Sequence, residues 1–276
     1  MEEIDKMKRI LALAIAVMMV FSLAACTDNK GGKDATEAFT LKVGFDAEYP
    51  PFGFIDDGGK YDGFDLALAA EVCKRLEWKL ELVPIAWDSK DAELTSGNIN
   101  CIWNGFTING REDSYTWTVG YYDNSIVMVV RADSGIETLA DLTGKTVITQ
   151  AGSSALAALE KDRATLTATF AKLIETADYN SAYMELNSGA VDAIAVDVGV
   201  ANYYMASQAG SYEILDEDVA SEEYGVGFLL GDTKTMYTVQ GVLLEMAADG
   251  TMLEIAEQYS DKGLVIESLV FTQAFD

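Results

Sequence analysis

The chain contains no histidine. That absence excludes Ser-His-Asp and Cys-His catalysis and every His-ligated metal site. Cysteine is nearly missing too, with three residues, Cys26, Cys73 and Cys101. Cys73 falls on the apolar stripe Leu66, Ala69, Cys73, Leu76 of an expected helix, and Cys101 lies in a strand-like run. Both are therefore expected as buried small apolar side chains and not as a disulfide. Two cysteines make no thiolate metal site alone, so no metal and no cofactor is expected. Basic residues are scarce, 19 against 45 acidic, for a net charge of −26. Such a surface repels nucleic acid and anionic headgroups, and no nucleic-acid partner is expected. No nucleophile–base pair and no appended module is visible. Gly144-Lys145-Thr146 lacks the glycine a phosphate loop needs five residues before its Gly-Lys pair, because Leu139 stands there.

One apolar run is present, Met7 to Cys26 (MKRILALAIAVMMVFSLAAC). Its core, Ile10 to Ala25, is short and alanine-rich for a span of about 20 residues. With Lys8 and Arg9 in front it reads as a secretory signal over residues 1–25, with Met7 as the natural start. Leu23-Ala24-Ala25-Cys26 resembles a bacterial lipobox. That resemblance implies cleavage before Cys26, a diacylglycerol thioether on its sulfur, and a lipid anchor in the membrane. Residues 26–38 are polar and Gly-rich and read as a flexible tether.

From Phe39 onward strand-like and helix-like segments alternate. Strands are expected at Phe39–Phe45, Lys79–Pro84, Ile99–Gly105, Thr146–Gln150, Lys172–Thr176 and Ala190–Val196. Helices are expected at Phe64–Leu76, Asp91–Ser96, Ser154–Asp162 and Ala182–Ser188. This is α/β patterning with mainly parallel sheets. The acidic stretch Glu213 to Glu223 reads as a solvated face.

The chain also echoes itself. Leu94-Thr95-Ser96-Gly97-Asn98-Ile99-Asn100-Cys101-Ile102 matches Leu186-Asn187-Ser188-Gly189-Ala190-Val191-Asp192-Ala193-Ile194. Each phrase is a helix end, a glycine stop and a buried strand. Two related α/β lobes follow. Ligands of open α/β sheets sit beyond the carboxyl ends of the strands. Gly105 and Asp197, at matching strand ends, are thus expected to face each other across one cleft.

The strand ends carry a coherent set of groups. The first offers Asp46, Tyr49 and Phe52. Others offer Trp87, Asn104, Gly105 and Thr107, followed by Arg111. The second lobe offers Gln150, Ser153 and Ser154 before a helix, then Asp197. A free α-amino acid needs such a set. Its carboxylate wants the planar fork of an arginine and helix-start N–H groups. Its ammonium wants a carboxylate and neutral acceptors, here Asp197, the Gly105 carbonyl and Thr107. Three rival readings weigh on this set: Arg111 as a solvated loop arginine, Asp197 as the N-cap of the next helix, and Tyr49 and Trp87 as core aromatics.

At these residues the chain resembles the extracellular solute-binding proteins of polar amino-acid ABC transporters, family 3, in their lipoprotein form. The shared phrases include Tyr49-Pro50-Pro51-Phe52, Gly63-Phe64-Asp65, Gly105-Phe106-Thr107-Ile108 with Arg111, Gln150-Ala151-Gly152-Ser153, and Asp192-Ala193-Ile194 with Asp197. The resemblance implies a periplasmic binding protein of type II. Its lobe 1 is expected at 39–125, lobe 2 at 126–223, and a return to lobe 1 at 224–276, with two crossover segments as the hinge. It implies Arg111, Thr107 and Ser154 on the ligand carboxylate, Asp197 on the ammonium, Tyr49 and Trp87 around the side chain, and Asp46 near its tip. It departs from the family in Asn109-Gly110, one residue shorter than the usual Thr-Pro-Glu before the arginine. The expected partners are a free polar amino acid, the permease of an ABC transporter and, through Cys26, the outer face of the cell membrane. A monomer without enzyme activity is expected. The other readings are an enzyme on the same fold, dehydratase-like, and an extracellular amino-acid sensor.

Overall fold

The computed structural model describes residues 38–270. The signal segment, Cys26, nearly all of the tether and residues 271–276 lie outside the described residues. Among the described residues no helix is long and apolar enough to cross a membrane.

The first sheet is nucleated by β1 (Thr40–Phe45), whose Leu41, Val43 and Phe45 are fully buried. A small antiparallel sheet follows, formed by β2 (Glu48–Tyr49), β3 (Gly53–Ile55) and β4 (Tyr61–Asp62). Next come α1 (Phe64–Arg75), β5 (Lys79–Pro84), α2 (Lys90–Ser96) and β6 (Cys101–Ile102). The buried stripe of α1 includes Leu66, Ala69 and Cys73. Cys73 and Cys101 are both buried and free. Burial pushes the Cys73 thiol up to about 11.

The chain then runs through β7 (Thr116–Trp117) and β8 (Tyr122–Arg131) into a second sheet. There it forms β9 (Thr146–Gln150), α3 (Ser154–Glu160), α4 (Ala164–Thr167), β10 (Lys172–Thr176) and α5 (Tyr179–Ser188). It continues with β11 (Ala193–Asp197), α6 (Val198–Ser207), β12 (Tyr212–Ile214) and β13 (Ala220–Tyr224). The path returns through β14 (Gly227–Phe228) to the first sheet and ends in α7 (Thr233–Ala248) and α8 (Thr251–Glu257), which pack on α1. Arg75 of α1 fixes that packing with bonds to Asp249 at 2.7 Å and Thr251 at 2.8 Å.

The strand orders are β5-β1-β6-β14-β7 and β10-β9-β11-β8-β12, with β13 also on β8. This is a mixed α/β fold of two lobes. In each sheet one half is parallel, β5-β1-β6 and β10-β9-β11. The other half is antiparallel, because the strands that cross between the lobes run back against the parallel ones.

The internal echo is structural. Gly97 and Gly189 adopt the left-handed conformation (φ 78° and 76°) and close their helices onto the same two carbonyl positions. Asn100 then accepts a bond from Lys42 N, and Asp192 accepts one from Thr146 N, both at 2.8 Å. Each tie sets the register of a parallel pair. Several boundaries differ from the sequence expectation, and three of them have a clear local cause. The strand expected over Ile99–Gly105 is ladder-paired only at Cys101–Ile102, because the chain then leaves the sheet to build a loop. The helix expected at Ala182 begins at Tyr179, where the Asp178 side chain caps Ser181 N at 2.6 Å. The strand expected over Ala190–Val196 begins at Ala193, because residues 190 and 191 still donate back to Glu185 at the helix end.

β8 and β13 pair from Tyr122↔Tyr224 to Ile126↔Ala220, so the two crossings lie side by side. The rings of Tyr122 and Tyr224 stack with centroids 5.7 Å apart.

Candidate functional site

A narrow cavity lies between the lobes, with about 10 Å³ of free volume, room for about one water molecule. One wall comes from the first lobe: Tyr49, Trp87, Asn104, Gly105, Thr107 and Arg111. The other comes from the second lobe: Gln150, Ser153, Ser154 and Asp197. Ten of the twelve residues singled out in the sequence line it.

Two of the twelve do not line the cavity. Phe52 is fully buried beneath the hinge. Its ring meets Tyr122 and Tyr224 edge-on at 5.6 and 5.3 Å. It follows the second proline, and the turn carries its ring past Tyr49 into the core. Asp46 is also turned away. Its carboxylate accepts from Glu48 N at 2.8 Å and from Gln150 Nε2 at 2.6 Å. Gln150 belongs to the other lobe, so Asp46 stands behind the cavity wall as a cross-lobe tie. Burial raises its pKa above the usual carboxylate range.

Arg111 sits at one end of the cavity. It donates to the Thr107 carbonyl at 3.1 Å and, across the cleft, to the Gly152 carbonyl at 3.2 Å. Its guanidinium lies 5.2 Å from the centre of the Phe106 ring. Among the described residues no carboxylate makes an ion pair with it. Its loop is short but pinned: Ile108 N donates to the Glu223 carbonyl at 2.9 Å, and Asn109 Oδ1 accepts from Glu223 N at 2.8 Å. The Asn109-Gly110 departure thus still leaves a fixed arginine. Trp117 secures it further by donating to the Arg111 carbonyl at 3.0 Å.

Asp197 sits on the opposite lobe, 2 % exposed. It occupies the N-cap position of α6, yet its side chain makes no capping bond. It accepts instead from Asn124 Nδ2 at 2.8 Å and from the Tyr224 hydroxyl. Those partners come from β8 and β13, so the cleft acid is bonded to both crossing strands. Ser153 does cap α3, accepting from Leu156 N at 3.1 Å.

Gly105 is required where it stands. Its φ is +53°, and a Cβ there would meet the Tyr49 ring at 2.9 Å and the Tyr224 ring at 3.2 Å. Its N–H donates to Asp65 at 2.5 Å, and Tyr121 donates to the same carboxyl at 2.7 Å. Asp65 is fully buried at the start of α1, and burial pushes its pKa up to about 7. The Gly63-Phe64-Asp65 phrase therefore supports the Gly105 loop from behind. Asn104 aligns the same wall by accepting from Asp46 N at 2.9 Å, while its buried Nδ2 has no partner among the described residues.

The model of the bacterial extracellular solute-binding proteins, family 3, matches residues 41–262. The chain belongs to this family. Relatives of this solute-binding chain include the L-cystine-binding protein TcyJ of Escherichia coli strain K12, 28 % identical, with 90 % of this chain and 92 % of that one covered. A solved structure from Streptococcus pneumoniae, an ABC uptake transporter substrate binding protein with bound histidine, is 31 % identical, with a TM-score of 0.78. It covers 82 % of this chain and 94 % of its own. The ancestral amino acid-binding protein AncCDT-1, a precursor of cyclohexadienyl dehydratase, is 29 % identical, with a TM-score of 0.72, over 80 % of this chain and 95 % of its own.

Some residues near the cleft escape a reading of the sequence. Glu222 lies inside the acidic stretch expected to be solvated, but it is buried. β13 alternates, and Glu222 and Tyr224 share its inward face. Asn124 Nδ2 donates to Glu222 at 2.9 Å as well as to Asp197. Burial, then the Asp197 charge, pushes the Glu222 carboxyl up to about 8. Period-two alternation was the available signal, masked by the surrounding acids. Lys90 is the other residue missed, a charge at a buried helix position four before Leu94.

Proposed function

We propose that this chain is the lipid-anchored receptor of an amino-acid ABC transporter. It captures a free polar amino acid between its lobes and delivers it to the permease, without transforming it. The division into lobe 1 (39–125), lobe 2 (126–223) and a return segment (224–276), and the action as a monomer, belong to this proposal. So do the signal segment, the diacylglycerol on Cys26 and the outer face of the cell membrane. The observation that carries the reading is the opposed pair of charges. Arg111, from one lobe and without a carboxylate partner among the described residues, faces one end of the cavity, and buried Asp197, from the other lobe, lines it too. A zwitterion joins both lobes in one step and pairs both charges as they lose water. In this reading Arg111, Thr107 and Ser154 hold the carboxylate. Asp197 and the Gly105 carbonyl hold the ammonium, and Tyr49 and Trp87 flank the side chain. Closure is then a population shift, because ligand binds the closed pair better than the separated lobes.

The side-chain end favours an uncharged polar or cationic group. Beyond Trp87 a depression of about 300 Å³ is lined by Asp46, Glu48, Asp88 and Asp178, with no basic residue. Relatives named for cystine and histidine accord with a polar amino-acid ligand. The test is calorimetric titration of residues 27–276, refolded to strip carried-over ligand, against the common amino acids and cystine. Saturable binding at one site per chain is expected for one chemical group of them. Silence from a demonstrably folded, ligand-free sample overturns the reading.

A further inference from the structure

Lys90 opens α2 and is only 6 % exposed. A buried ammonium is unfavourable unless it is well paired. The Lys90 ammonium has two carbonyl partners, Trp87 at 3.4 Å and Gly152 at 3.3 Å, both at the long end of hydrogen-bond range. It also lies 5.1 Å from the centre of the Trp87 ring. Asp88 and Asp91 are its nearest acids, and neither forms an ion pair with it; Asp91 instead accepts from the Tyr115 hydroxyl. Burial, then the charge of Arg111, pushes its pKa below the usual lysine range.

The Gly152 carbonyl is the same one that Arg111 reaches at 3.2 Å. Two full positive charges from the first lobe thus converge on one neutral oxygen of the second. A carbonyl supplies only a partial negative charge. The seam between the lobes is short of an anion at the point where they touch.

We propose that Lys90 is a selectivity residue for the ligand carboxylate, acting with Arg111 across the Gly152 carbonyl. The proposal rests on the reading that the cleft binds an amino acid. Lys90 does not line the cavity, so it acts through charge and not through contact. A carboxylate brought to Arg111 supplies the missing negative charge where solvent screens weakly. A carboxamide in the same place leaves both cations facing each other. The arrangement therefore makes closure depend on an anionic group at that end of the ligand. An apolar side chain at position 90 would fill the same space without a desolvation cost, so packing alone gives no reason for a lysine here.

The experiment compares wild type, Lys90→Met and Lys90→Arg. The probes are L-glutamine, L-arginine, L-histidine and L-cystine, each beside its α-carboxamide. Lys90→Met is expected to be at least as heat-stable as wild type. It should bind the amino acid about tenfold more weakly while its affinity for the carboxamide stays within about twofold. Lys90→Arg should restore the preference. An unchanged ratio of carboxylate to carboxamide affinity in Lys90→Met overturns the proposal, as does an equal loss for both ligands, which marks a structural role. If wild type binds none of the common amino acids or cystine, the amino-acid reading itself fails and this inference with it.

Discussion

At the scale of single residues the cleft is held by tightly constrained positions. Within its own lobe Arg111 is held by the Thr107 carbonyl and, at its backbone, by Trp117, so its guanidinium is aimed without help from the other lobe. Preorganisation of this kind lowers the cost of binding. Arg111→Ala is expected to lose more than about 3 kcal/mol of amino-acid affinity, the scale for leaving one member of a buried charge pair unpaired. Titration of the folded variant checks this, and near-wild-type affinity would remove Arg111 from the carboxylate subsite. Most cavity-lining residues were legible in the sequence, because each stands at a strand end where an α/β fold presents side chains to a ligand. Asp46 and Phe52 do not line the cavity, for a local reason. The turn after β1 directs one back to Gln150 and the other under the hinge.

At the scale of elements, the repeated helix–glycine–strand unit made the two-lobe plan visible, down to the matched ties of Asn100 and Asp192. Strand length was less visible. β6 reads as a long apolar strand but pairs over two residues, since the rest of that run builds the loop that lines the cavity. Glu222 was hidden because a neighbouring strand and a remote aspartate, not its own segment, decide its surroundings. The joint between α1 and the Gly105 loop gives a pH prediction. The unfolded chain releases the Asp65 proton near its ordinary value of 3.8, whereas the folded chain keeps it to about pH 7. The folded state therefore binds more protons between those values. The Asp65 contribution to stability is complete below about pH 4 and declines as pH rises towards 7, by up to ~4 kcal/mol. Denaturant titrations of ligand-free protein should show wild type losing more stability than Asp65→Asn between pH 5 and pH 8. Equal losses would mean that Asp65 does not hold its proton in the fold.

At the scale of the whole molecule, the two crossing strands couple the hinge to the site. Asn124 on β8 and Tyr224 on β13 both bond Asp197, while the Gln150–Asp46 bond and the Arg111–Gly152 bond cross between the lobes. Each lobe thus contributes one charge of the proposed ligand site and part of the other lobe's support. The central claim is that the ammonium of an amino acid belongs to Asp197. Its most direct test is a binding cycle between wild type and Asp197→Ala, using the amino acid selected by titration and its deamino analogue. Loss of the ammonium should cost wild type about 100-fold or more and the variant less than about fivefold, a coupling of roughly 2–3 kcal/mol. The same loss in both proteins would contradict the account.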